Sequence, residues 1–170
     1  MPLAKSKVLS GLFFMMLLFS SPVHSANTSA GDFRPCTQSD LVGTWQLVGL
    51  QSATPIDTKT TPYFFRNQRF VFQKDGKVRH VTSTEPITEE WFQTMLLAPA
   101  TSTFSVDQEG VLTIQKQSAP SEHCLCTYNL TDVRSPEGSP IFAVGDVLLT
   151  AKANDKIMLQ RSLRKIPGQK

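Results

Sequence analysis

The chain has 170 residues, a net charge of +3 and three cysteines. Its first 25 residues have the parts of a secretory signal peptide: Lys5 and Lys7, an apolar run over 12–19, and small residues at Ser25 and Ala26. The apolar run is too short to span a bilayer, and its removal leaves one nearly neutral domain. The sequence therefore predicts an exported protein without a membrane span, and its weak charge argues against nucleic acid as a partner.

The remainder is predicted to be one all-β domain. Residues 26–39 are polar and are expected to form a flexible N-terminal tail, whereas residues 40–166 contain short runs of β-branched and aromatic residues separated by turn signals. The predicted strands are 43–50, 68–73, 77–84, 102–107, 110–116, 122–130, 142–151 and 156–163. Long connections alternate with tight turns along them, which predicts an eight-stranded antiparallel up-and-down barrel with one open end.

The turn after the second predicted strand decides which side chains share a face of the sheet. A two-residue loop, Asp75-Gly76, would place Phe72 opposite Arg79. A three-residue loop with Gly76 in the left-handed conformation instead places Phe72 opposite Val78. We favour the three-residue loop because it gives one apolar face.

The long connection 85–101 contains the one predicted helix, 88–97, with Thr88 as its N-cap. Its apolar residues recur at helical spacing and form a stripe that must be buried. They are Trp91, Phe92, Met95 and Leu96. The stripe is expected to guard the mouth of the barrel, either as a cap on the core or as a lid over a ligand cavity.

The cysteines allow at most one disulfide in an exported chain and leave one thiol over. The bridge is expected to join Cys36 to the Cys124/Cys126 pair, with Cys126 as the working assignment and the choice between the two left open. A bridge between Cys124 and Cys126 is disfavoured by strand geometry. His123 lies beside both thiols, but no fourth ligand is apparent and the disulfide consumes a thiol, so no metal site is predicted.

Three short motifs resemble those of lipocalins and the wider calycin superfamily, in particular the small lipocalin-like domains of bacteria. Gly43-Thr44-Trp45 is similar to the G-x-W signature, Thr131-Asp132 resembles the T-D-Y motif with Val133 in the place of its tyrosine, and Arg161 matches the arginine of the last strand. The resemblance implies that Trp45 closes one end of the barrel with the Arg161 guanidinium stacked on it. We take five residues as markers of the fold: Gly43, Trp45, Thr131, Asp132 and Arg161.

The same resemblance implies that the barrel binds a small hydrophobic or amphipathic molecule. The predicted lining consists of Phe70, Phe72, Val78, His80, Phe104, Val106, Leu112 and Ile114 from the strands, and of Trp91 from the helix. His80 would orient a polar head group. A barrel of this size can also be filled by its own side chains, so core packing is the alternative role of each residue.

A second hypothesis is a filled barrel that acts as a protein–protein interaction or inhibitor module through its long loops. Tyr63-Phe64-Phe65-Arg66 in the first long connection has the composition of an interface anchor, although these aromatics could equally fold back into the mouth or begin a strand. Catalysis is not predicted, since no nucleophile and base are paired by the sequence, and no cofactor is expected. The predicted product is a monomer secreted to a bacterial periplasm, whose partner is a small apolar ligand or a protein.

Overall fold

The computed structural model describes residues 32–168, so the predicted signal peptide, 1–25, and the first part of the predicted tail lie outside the described residues. The elements are β1 (Phe33–Pro35), α1 (Gln38–Leu41), β2 (Gly43–Ser52), β3 (Asn67–Phe72), β4 (Lys77–Ser83), α2 (Glu89–Leu96), β5 (Ser102–Val106), β6 (Val111–Lys116), β7 (Glu122–Asn129), β8 (Val133–Arg134), β9 (Pro140–Phe142), β10 (Val147–Ala153) and β11 (Lys156–Lys165). A 3₁₀ turn, Pro62–Phe64, lies between β2 and β3.

Eight of these strands form a closed antiparallel barrel, which confirms the predicted fold class. Each barrel strand pairs with the next one along the chain, from β2 through β7 to β10 and β11, and β11 returns to pair with β2. Burial alternates along β3, where Gln68, Phe70 and Phe72 are buried and the residues between them are less so. Alternate side chains therefore face the inside of the barrel, as the pleat of a strand requires.

The register of the β3–β4 hairpin follows the predicted three-residue loop. Phe70 lies opposite His80, and Phe72 opposite Val78. Gly76 has φ of 80°, a left-handed conformation that suits a residue without Cβ, and the amide of Gln73 donates to the Lys77 carbonyl at 2.8 Å. The hairpin thus places His80 on the inner face of the barrel.

Trp45 closes one end of the barrel, but its cationic neighbour is not the predicted one. The indole is fully buried and its Nε1 donates to the Leu41 carbonyl at 2.7 Å. Lys165 lies opposite Trp45 in the β2–β11 ladder, with its Nζ 5.4 Å from the ring centroid, whereas Arg161 lies opposite Leu50. The predicted stacking of Arg161 on Trp45 is therefore wrong, because β11 continues to Lys165 and carries that residue to the closed end instead.

The described part of the predicted tail, residues 32–39, contains strand β1 and the start of α1. Strand β1 pairs with the last residues of β7, and Cys36 forms the predicted disulfide with Cys126. Arg34 binds Asp40 through two hydrogen bonds of 2.7 and 2.8 Å, and Asp40 forms a capping box with Thr37 at the start of α1. A polar composition predicts disorder, but a disulfide and a strand pairing fix this segment against the barrel.

The connection between β7 and β10 is held by the Thr131-Asp132 pair that the sequence marks. Thr131 Oγ1 accepts a hydrogen bond from the amide of Asp32, and Asp132 Oδ1 accepts one from the amide of Val144. The connection forms the β8–β9 pair, so β10 begins at Val147, five residues after the predicted start of that strand, 142. Thr131 and Asp132 therefore have a structural role in this connection.

Helix α2 begins as predicted. The Thr88 hydroxyl accepts a hydrogen bond from the amide of Trp91 at 3.3 Å, and Glu89 and Glu90 occupy the first turn. Acidic side chains at this position interact favourably with the helix dipole. Among residues 32–168, no helix is both long and apolar enough to cross a membrane.

The position of α2 differs from the prediction, because the helix packs on the outside of the barrel and does not guard the mouth. The Phe92 ring is buried under the Arg69 guanidinium, whose Cζ lies 4.7 Å from the ring centroid, and Arg79 donates to the Leu96 carbonyl. Both arginines point outwards, since they alternate with inward-facing residues of β3 and β4. Trp91 remains 38% exposed on this outer helix, so its predicted place in a ligand lining is wrong.

Candidate functional site

The predicted lining residues of the strands do lie together inside the barrel. Phe70, Phe72, Val78, Phe104, Leu112 and Ile114 are buried in one core cluster, and Val106 packs against it. A void of about 30 Å³, which is room for about one water molecule, lies between Phe70, Val78, Ile114 and His80. The space beside His80 is therefore filled almost completely by side chains of the protein itself.

Tyr63 contributes to this filling from the connection between β2 and β3. Pro62 begins the 3₁₀ turn, where its fixed φ is favourable, and the amide of Phe64 donates to the Thr61 carbonyl at 2.9 Å. The turn directs the Tyr63 side chain into the mouth, which is the end of the barrel opposite Trp45. Phe64 and Phe65 are half-buried and only Arg66 is exposed, so the predicted interaction loop folds back in part.

Four residues form a polar group at the mouth, which we call the mouth cluster: Tyr63, Lys116, Glu122 and Arg161. The Tyr63 hydroxyl donates to Glu122 Oε2 at 3.2 Å and accepts from Arg161 Nη1 at 3.1 Å. Glu122 is also paired with Lys116. Glu122 carries the one negative charge of the cluster, whereas Lys116 and Arg161 each carry a positive charge. The cluster therefore has a net positive charge inside the mouth.

Arg161 is the most unusual member of the mouth cluster. It is only 3% exposed, its Nη2 donates to the Tyr63 carbonyl at 3.2 Å, and its Cζ lies 4.1 Å from the centroid of the Tyr63 ring. Within the described range, 32–168, no carboxylate lies at ion-pair distance from Arg161, and its buried Nε has no hydrogen-bond partner. A buried guanidinium without a counter-ion is costly, and the aromatic ring and a carbonyl offset only part of that cost.

His80 faces the same interior space. Its ring stacks on Phe70 with centroids 4.1 Å apart, and its Nε2 lies 3.0 Å from Gln68 Oε1. Burial of the ring by the surrounding protein disfavours its charged form and lowers the pKa of His80 below its usual value. The positive charges of Arg161 and Lys116 lower it further. The imidazole is therefore neutral at pH 7 and acts as a hydrogen-bonding group rather than as a third cation.

The wall of the barrel is open beside His80. The ladder between β4 and β5 has only the pairs Lys77 with Thr103 and Val78 with Ser102. Beyond Val78, a pocket of about 350 Å³ on the outside shares His80, Ser102 and Lys116 with the interior void. Solvent reaches one side of His80 through this opening, which explains why the residue is exposed although protein groups surround the rest of its ring.

The free thiol lies deeper in the same interior. Cys124 is buried, and burial raises the pKa of its thiol to about 11, although the charge of Arg161 opposes this rise. His123 is exposed on the opposite face of β7, where its Nδ1 lies 3.1 Å from Thr113 Oγ1, so it does not converge with the thiol on a metal. Within the part of the chain that the structure describes, no cluster of His, Cys, Asp and Glu could hold a metal ion.

Sequence reasoning placed Arg161 on the inner face but gave it the wrong aromatic partner, and it missed Gln68, Lys116 and Glu122. Strand alternation was the signal for Gln68 and Lys116. Gln68 is two residues before Phe70, and Lys116 two after Ile114, so each belongs to an inward-facing series.

Comparison of the chain with models of protein families, with curated proteins and with solved structures finds no match.

Proposed function

We propose that this barrel binds a small amphipathic acid, whose anionic group pairs with Arg161 and whose apolar part takes the place of the Tyr63 ring. The observation that carries this proposal is the buried guanidinium, which has no carboxylate partner among residues 32–168. An anion on Arg161 would neutralise it and give its Nε a hydrogen-bond acceptor. The ligand would thus supply what the protein's own side chains leave out.

The size of the ligand follows from what Tyr63 occupies. A void of about 30 Å³ holds no organic molecule, so a ligand bound on Arg161 needs the space that the Tyr63 ring occupies in the mouth. The space then vacated is that of a phenol ring, already contacted by a cation on one face. The best-fitting class is therefore an aromatic or short-chain carboxylic acid, and Tyr63 is its internal competitor.

Movement of Tyr63 is compatible with its position in the chain. Tyr63 lies on a short 3₁₀ turn within the connection 53–66, outside the barrel ladders. Withdrawal of its side chain would break its hydrogen bonds to Glu122 and Arg161 without disturbing strand pairing. Only molecules in which Tyr63 has withdrawn can bind. The apparent affinity for any ligand is therefore the affinity of these open molecules multiplied by the fraction of molecules that are open.

Export of the protein to a bacterial periplasm and membership of the lipocalin-like group belong to the same proposal. The Cys36–Cys126 disulfide supports an oxidising compartment. The up-and-down barrel and the buried Trp45 at its closed end are the features that the resemblance implied. Gly43 and Trp45 keep their role as fold markers in this proposal, whereas Arg161 becomes a binding residue.

A second candidate function is an interaction module with a permanently filled barrel. It is favoured by the small interior void. It is also favoured by apolar side chains exposed on α2 and just after it, since Met95 is 41% and Leu97 86% exposed. In this account Tyr63 stays in place and the partner is a protein.

The test begins with protein recovered from its native host. Its mass is compared under native and denaturing conditions, for the unmodified protein and for Arg161→Met. Arg66→Met is the control, because Arg66 is an exposed arginine of the connection that carries Tyr63. We expect a small acid to be released from the unmodified protein and from Arg66→Met but not from Arg161→Met. Unliganded protein that is not stabilised by any aromatic or short-chain acid would reject the ligand-binding proposal and favour the interaction module.

A further inference from the structure

A second recess lies outside the barrel, independent of the mouth cluster. It is a groove of about 690 Å³ between the C-terminal half of α2 and the outer surface of the barrel near its closed end. Its apolar surface includes Val42, Val71 and Leu96. This volume is in the range of sites that hold small molecules.

The charges that line this groove are all of one sign. Lys74, Arg79 and Lys165 line it, and none of its lining residues in the described part of the chain is acidic. The nearest turn carboxylate, Asp75, is paired with Lys77, which lies outside the groove. The groove thus combines an apolar surface with an uncompensated positive charge.

Arg79 also carries a donor that can serve an anion. One of its nitrogens, Nη1, donates to the Leu96 carbonyl and ties the end of α2 to β4. Its Nε is buried and has no hydrogen-bond partner among residues 32–168. A buried donor without an acceptor costs free energy, so an anion that reached this nitrogen would be stabilised by it.

Lys165, the third cation of the groove, passes over Gly43. A Cβ at Gly43 would lie 2.7 Å from Lys165 Cε, so a side chain at this position would require the end of the lysine to shift. The stem then carries Nζ along the rim of the groove and over the edge of Trp45. Position 43 therefore affects the charge of the groove as well as the start of the strand.

We propose that this groove binds a free single-chain anionic amphiphile, with its head group on Lys74, Arg79 and Lys165 and its chain along Val42, Val71 and Leu96. The charge complementarity selects an acid, and the apolar surface between helix and sheet selects an extended chain. This inference does not depend on the proposed function of the mouth cluster, because the two sites share no residue.

The test is calorimetric titration of the purified protein with decanoate, and with 1-decanoylglycerol as a neutral ligand of equal chain length. We expect decanoate to bind and the neutral ligand to bind at least about tenfold more weakly, as the loss of a charge-assisted hydrogen bond implies. Lys74→Gln and Arg79→Gln should each weaken decanoate binding by about the same factor. Lys152→Gln is the control, since this exposed lysine of β10 lies outside the groove, and it should bind as the unmodified protein does.

One further variant, Arg161→Met, separates the possible outcomes. Arg79→Gln also loses the contact with Leu96, so Lys74→Gln, which breaks no contact observed among residues 32–168, keeps the test decisive if α2 loosens. Arg161→Met should leave decanoate binding unchanged, and loss of binding in that variant would overturn the groove proposal in favour of the mouth cluster. Absence of decanoate binding, equal binding of the neutral ligand, or indifference to Lys74→Gln would also overturn it.

Discussion

The guanidinium of Arg161 stacks on the ring of Tyr63, with Cζ 4.1 Å from the ring centroid. The two residues are 98 positions apart in the chain, and they meet because β11 and the β2–β3 connection reach the same end of the barrel. The pair closes the mouth with an aromatic ring on a cation, which is also how a small aromatic acid would be held there. The consequences for stability and binding can be measured separately.

Tyr63→Phe should lower the free energy of unfolding by about 1 kcal/mol, because it removes the hydroxyl hydrogen bonds and keeps the ring on Arg161. Urea denaturation followed by circular dichroism measures this change. Tyr128→Phe is the matched control, since no hydrogen bond of the Tyr128 hydroxyl is observed within residues 32–168. Equal effects of the two substitutions would show that the Tyr63 hydroxyl does not hold the turn in the mouth.

Arg161→Met should leave the free energy of unfolding unchanged within about 1 kcal/mol or raise it, because it removes a buried charge that has no counter-ion in the described part of the chain. Arg164→Met should instead destabilise the protein by about 2 kcal/mol or more, since it leaves the buried carboxylate of Asp146 unpaired. The comparison uses the same denaturation experiment. A larger loss from Arg161→Met than from Arg164→Met would mean that Arg161 has a structural role.

Cys124 should resist alkylation in the folded protein. Burial raises the pKa of its thiol to about 11, so the reactive thiolate is scarce at pH 8 and forms only as the pH rises towards that value. Iodoacetamide at pH 8 should therefore label no cysteine of the native protein, and after unfolding without reductant it should label Cys124 alone. Peptide mapping that finds the label on Cys126 would contradict the Cys36–Cys126 assignment.

Asp40 should make stability depend on pH in the acid range. The hydrogen bonds from Arg34 hold the pKa of this carboxyl well below its usual value, so the stabilisation is complete above about pH 4 and is lost as the pH falls further. Asp40→Asn should lower the free energy of unfolding by about 1 kcal/mol at pH 7, and the difference should shrink between pH 4 and pH 2. A difference that stays constant down to pH 2 would contradict this role of Asp40.

Local patterns predicted most of the fold. Strand alternation, the Gly76 turn and the Thr88 cap each depend on neighbouring residues, and each is seen in the structure. The errors concern contacts between distant segments. The packing side of α2 depends on Arg69 and Arg79 of other elements, and the ordered structure of β1 depends on its pairing with β7.

The candidate site was predictable in composition but not in arrangement. Alternation places Arg161 on the inner face of β11, and the aromatic run identifies Tyr63 as a residue to be buried or bound. Their meeting could not be read from the sequence, because it depends on the length of β11 and on how a connection without regular pattern folds back. The motif resemblance also assigned Arg161 to Trp45, whereas the register gives that place to Lys165.

The most direct test of the account is the binding of 3-phenylpropanoate to Tyr63→Ala, with 3-phenylpropan-1-ol as the neutral ligand. Removal of the internal competitor should raise the affinity for the acid at least about tenfold over the unmodified protein, since the open state becomes the dominant one. The double variant Tyr63→Ala, Arg161→Met should then lose the preference for the acid over the alcohol. A folded Tyr63→Ala protein that binds neither compound, or binds both equally well, would contradict the assignment of Arg161 as the anion-binding residue of the mouth.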